Sequence, residues 1–141
     1  FETLAMGPYP DDVKTQMTIA LARASGAVGM VGGQAIDLSL VSSAPSLEAL
    51  ENMHQLKTGA MIQASIQLGA LAAGANADVL SALIAYGKAI GLAFQVQDDI
   101  LDVVADTSEL GKHQGADAAL DKPTYVSLLG LEGARCKLRS G

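Results

Sequence analysis

Apolar residues recur every three or four positions along most of the chain, and that spacing admits helices and little else. The longest line is Leu80, Ile84, Gly87, Gly91, Gln95, Asp98, Asp102. A second is Leu47, Leu50, His54, Lys57, Met61, Ala64, Leu68, Leu71. No stretch alternates with the period of a strand, and no repeat or low-complexity tract is present. An all-α helical bundle is expected. Composition agrees: 50% of the residues are hydrophobic, yet Tyr and Phe number only 3 and 2 and Trp is absent. Ala and Leu dominate, so helices can approach closely. With 141 residues the chain can bury a core and is not disordered.

Punctuation residues divide it. Pro8 and Pro10 end whatever precedes them, and Asp11 and Asp12 suit the positive end of a helix over residues 11–38. Ala22, Gly26, Gly29 and Gly33 give that helix a nearly bare face, suited to a close neighbour. No strand precedes these glycines and no Lys-Ser/Thr pair follows, so neither a P-loop nor a dinucleotide fingerprint is present. Residues 41–45 form a loop, and Ser46 caps a second helix that runs to about Ala73 and stops at Gly74. Thr58 and Gly59 weaken it midway and predict a kink. A third helix spans 76–104. Residues 105–121 have no period and read as a long, functional loop, and Pro123 opens a short last helix.

A net charge of −6 argues against a nucleic-acid binder, which needs a basic face. The single cysteine, Cys136, excludes an internal disulfide and a cysteine-rich zinc site, and is expected as a small buried residue of the last helix. No signal peptide is present and no unbroken apolar run reaches the roughly 18 residues of a membrane span, so a cytoplasmic protein without a transmembrane segment is expected. The chain opens on Phe1 to Met6 as a helix already under way and closes without a stop signal after 131–139. Both ends read as cut.

Two helical faces carry groups that packing would not select. Lys57 interrupts an apolar stripe, so either an anion meets it or its stem packs while its head reaches water. On the third helix Asp98, Asp99 and Asp102 bring like charges together, which costs energy on a bare helix. A divalent cation reverses that cost, and an oxygen-only set suits Mg²⁺ held partly by substrate phosphates. The other reading is an acidic, solvated turn. Lys57, Lys112 and Lys122 add cations, and the apolar line adds a slot. A ligand with a phosphate head and a greasy tail matches all three. His54 is expected as a satisfied, hydrogen-bonded side chain, and His113 as incidental.

The segment Gly-Leu-Ala-Phe-Gln-Val-Gln-Asp-Asp-Ile-Leu-Asp at 91–102 resembles the second aspartate-rich motif of the trans-isoprenyl diphosphate synthases, or polyprenyl synthetases, most closely the short-chain bacterial farnesyl type. Gly33-Gln34-Ala35-Ile36-Asp37-Leu38 is similar to the family's Gly-Gln-x-x-Asp-Leu segment, and His54 to Gly59 to its Lys-Thr motif. Leu110-Gly111-Lys112 and Asp121 to Tyr125 match its loop and the start of its last helix. These blocks lie in the family's order. The resemblance implies an isoprenoid-synthase-type bundle in which Lys57, Lys112 and Lys122 hold the diphosphate of an allylic substrate. It implies that Asp98 binds Mg²⁺, supported by Asp99 and Asp102. Thr58 and Gln95 then face the allylic cation, and Gln34, Asp37 and Phe94 support the site. The implied reaction joins isopentenyl diphosphate to dimethylallyl or geranyl diphosphate, giving farnesyl diphosphate, in a homodimer.

One departure stands out. The family's first aspartate-rich motif, with its following Arg pair, is missing, and Asp11-Asp12 does not supply it. Residues 1–141 therefore read as the C-terminal part of one larger prenyl synthase domain, inactive alone. A catalytically dead partner subunit and a class I terpene cyclase are the alternatives. Product length is set in the region that is missing.

Overall fold

The computed structural model describes residues 1–104 and 122–140. Every regular element among them is helical: α1 Glu2–Ala5, α2 Asp11–Ser25, α3 Met30–Leu40, α4 Leu47–His54, α5 Ala60–Ala72, α6 Ala77–Val104 and α7 Tyr125–Ser140. A π-helical turn, Gln55–Gly59, joins α4 to α5. The all-α expectation holds.

The Ser46 cap and the Gly74 stop are those the sequence signals, and side chains close two further helix starts. Ser46 Oγ accepts from the Ala49 N–H at 3.1 Å, and Asn76 Oδ1 from the Val79 N–H at 2.9 Å. Gly74, at φ 68°, closes α5 with the Ala75 N–H on the Ala70 carbonyl, which a residue with a Cβ would do under strain. At the start of α7, two residues past Pro123, Thr124 and Ser127 exchange bonds: each hydroxyl accepts from the other's N–H. Gly130, at φ 71°, kinks α7.

Two expectations change. The single helix over 11–38 is two, because Gly26 is extended and Gly29 also leaves the helical region, and together they break it. A Cβ on either glycine would strike carbonyls of α2 itself, at 2.8 Å from Ala22 and 2.2 Å from Ala24, so they serve the break rather than a neighbour. Gly33 does meet another element. Cys136 is exposed, not buried, because the core face of α7 falls to Tyr125 and Ala134. Ala77–Val104 and the interrupted stretch Asp11–Leu40 are long and apolar enough to cross a membrane by length and composition alone, a property that core helices share.

The core gathers Leu50, Met53, Val96, Ile100, Tyr125 and Ala134, where α4, α6 and α7 meet. Helix α5 packs between α2 and α6, and the π turn lies against both α3 and α6. Glycines set those approaches. A Cβ on Gly33 would lie 2.2 Å from the Lys57 backbone nitrogen, and one on Gly91 3.2 Å from the Gly59 Cα. The π turn is thus gripped between two bare helix surfaces, with Lys57 and Thr58 on it.

Candidate functional site

Those contacts build one cleft of about 240 Å³. From α3, one turn past Gly33, comes Asp37; the π turn brings Lys57 and Thr58; α6 brings Phe94, Gln95, Asp98 and Asp99; Lys122, Pro123 and Thr124 close it ahead of α7. His54 also lines it. A larger groove, about 450 Å³, lies between α2 and α5, lined by Gln16, Arg23, Gln63, Gln67 and apolar residues, without a cluster of charged groups.

Asp37 is the hub. Its Oδ2 accepts from Lys57 Nζ at 2.7 Å and from Lys122 Nζ at 3.1 Å, while its side chain is 5% exposed. Burial pushes the carboxyl up, but the two lysines outweigh it and hold it below its ordinary value. Two cations thus share one anion, with Asp98 and Asp99 in the same cleft. That answers the question Lys57 posed: its head meets an anion, supplied by α3.

Asp99 is 1% exposed. Its Oδ1 accepts from Gln95 Nε2 at 2.9 Å, and its Oδ2 from the Tyr125 N–H at 2.7 Å. A carboxylate only accepts, so the Gln95 amide must turn its nitrogen to Asp99, leaving its oxygen for the cleft. Asp99 thus ties α6 to the start of α7. Asp98 lines the cleft, half-buried. Asp102 is 3% exposed and lines a small adjoining cavity with Lys122 and Thr124. Among the described residues no three His, Cys, Asp or Glu groups are gathered tightly enough to cage a metal ion. The donor set fits Mg²⁺ in another way: few carboxylates, with the remaining positions left to water and ligand oxygens.

Phe94 is 57% exposed beside the cleft. Gln34 is exposed on α3 and does not line the cleft. Lys112 and His113 lie outside the described residues. His54 departs from expectation: it is buried, yet neither ring nitrogen has a hydrogen-bond partner. Its ring stacks on Tyr125 instead, with centroids 5.5 Å apart and planes 21° from parallel. Burial, then the nearby Lys57 charge, pushes its pKa down to about 4. Sequence reasoning missed Tyr125 as part of this site. A tyrosine just past a capping threonine gave no polar signal, and its partner lies 71 residues away.

The polyprenyl synthetase family matches residues 6–139. The chain is 55% identical over 135 residues to farnesyl diphosphate synthase of Escherichia coli, covering 95% of this chain and 45% of that protein. It is 46% identical over 120 residues to geranylgeranyl pyrophosphate synthase 9 of Arabidopsis thaliana, covering 83% of this chain and 33% of that protein. The structure of a geranyltransferase from Helicobacter pylori, complexed with magnesium and isoprenyl diphosphate, superposes with a TM-score of 0.89 at 34% identity, over 99% of this chain and 46% of that one. The chain thus spans about half the length, or less, of the relatives it matches. With a family match across nearly all its residues and the same all-α fold in a solved relative, the chain belongs to the polyprenyl synthetase family.

Proposed function

We propose that residues 1–141 form the C-terminal part of a single prenyl diphosphate synthase domain, the part that binds and ionises an allylic diphosphate. The observation that carries this reading is the convergence of Lys57 and Lys122 on Asp37 beside Asp98 and Gln95 in one cleft. Lys57 and Lys122 would take the diphosphate and steady its charge as the carbon–oxygen bond breaks. Asp98, with Asp102 behind it, would hold Mg²⁺, which supplies further neutralisation of the leaving group. The Gln95 amide oxygen, set by Asp99, would face the allylic carbon with Thr58. Exposed Phe94 would lie along the hydrocarbon.

Farnesyl diphosphate is the product proposed, since the relative at 55% identity is named for it. Condensation would need the first aspartate-rich motif, absent from these residues, so the chain alone would bind but not join substrates. The assembled enzyme is proposed as a cytoplasmic homodimer.

Calorimetry with inorganic diphosphate and Mg²⁺ tests the binding half. Metal-dependent binding is expected, with a large loss in Asp98→Ala; equal binding by the variant would sink the assignment. Turnover of isopentenyl and geranyl diphosphates by these 141 residues alone would overturn the claim about condensation.

A further inference from the structure

His54 and Tyr125 occupy matching places on the two segments that bring in cations. His54 ends α4, three residues before Lys57; Tyr125 begins α7, three residues after Lys122. Their rings stack at 5.5 Å, and the two lysine nitrogens then meet on a single Asp37 oxygen. Tyr125 is fully buried, and its N–H is fixed by Asp99. Neither imidazole nitrogen nor the Tyr125 hydroxyl has a hydrogen-bond partner, and all three atoms are shut from solvent. The rings therefore act through their flat faces, not their polar atoms.

We propose that the His54–Tyr125 stack is a clamp that sets the spacing between Lys57 and Lys122, making both rings positioning residues that act on the anion through Lys122. This rests on the reading of the cleft as a diphosphate site. The segment 122–124 reaches the cleft from a different part of the chain than Lys57. Its placement depends on how α7 begins, and the stack joins that beginning to α4. Lys57 has a second support, the grip of Gly33 on its backbone.

Binding of inorganic diphosphate with Mg²⁺ to the 141-residue chain, measured by calorimetry, tests this as a double-mutant cycle. Lys57→Ala and Lys122→Ala should each weaken binding about tenfold or more. His54→Phe keeps a flat ring and should bind as the parent does. His54→Ala should weaken binding and abolish the Lys122 contribution, so that adding Lys122→Ala costs less than about twofold more, while adding Lys57→Ala still costs its full factor. A merely structural loss would weaken both lysines alike, and that result would overturn the proposal. Binding lost in a folded His54→Phe would also overturn it, by showing that a ring nitrogen matters. Tyr125→Leu breaks the stack from the other side and serves if His54→Ala does not fold. If Lys57→Ala and Lys122→Ala leave binding unchanged, the diphosphate reading itself fails, whatever the stack does.

Discussion

A histidine without a hydrogen-bond partner, buried beside a lysine, makes stability depend on pH. The His54 folded-state pKa of about 4 lies below its ordinary value, so between the two the unfolded chain binds a proton that the folded chain refuses. Stability is full near pH 7 and is lost as pH falls from about 6.5 toward 4. The loss is on the order of 2–3 kcal/mol. Asp37 acts in the same sense, since its carboxyl is also held below its ordinary value, and its contribution is lost only at more acidic pH. Urea midpoints should therefore fall between pH 7 and pH 4.5 in the parent and stay nearly level in His54→Phe. A parallel fall in both would count against the account. The sequence placed His54 on the inward line correctly and misread what it meets. Spacing gives the direction of a side chain, and its partner comes from Tyr125, which no local pattern links to it.

At the scale of elements, glycines fix the site more than charges do. A methyl at Gly33 would lie 2.2 Å from a backbone nitrogen and 2.5 Å from the Lys57 Cα, and backbone cannot yield as a side-chain tip can. Gly33→Ala is expected to cost about 3 kcal/mol in chemical denaturation. Gly69, in the last turn of α5, has nothing within 4 Å, so Gly69→Ala should stabilise by about 0.5–1 kcal/mol. Equal effects from the two substitutions would refute the distinction. The helix starts at Ser46 and Asn76 were legible because capping is local chemistry. The break at Gly26 to Gly29 was not, because a glycine that permits a close approach and one that permits an extended angle look alike in sequence. The weakness at Thr58-Gly59 was legible, and its form as a π turn was not.

For the whole molecule, the conspicuous surface is on α6. Val79, Tyr86, Ile90 and Phe94 are 47%, 59%, 40% and 57% exposed and follow one another at helical spacing toward the cleft. An apolar stripe of this kind is a contact or ligand surface. The chain is expected to bind an apolar fluorescent dye, and Tyr86→Lys with Ile90→Lys to lower that signal without loss of helical circular dichroism. Undiminished fluorescence would place the dye elsewhere, in the α2–α5 groove for instance. The sequence line from Leu80 to Asp102 pointed to the acidic end of this helix but merged two faces. Gly87 and Gly91 press on α5 and the π turn, while the exposed apolar side chains lie on another side of the helix. The π turn has one more consequence. Helices α4 and α5 amount to one helix carrying a surplus residue, a phase error of about 100° between its two halves. Deleting any one of residues 55–59 would correct the phase, and the α5 face now on α6 would swing away from it. Lys57 would leave its place against Gly33, and Gly59 its place against Gly91. An ideal helix and this cleft are alternatives for the same stretch of chain, so a search for stability alone would edit the cleft out.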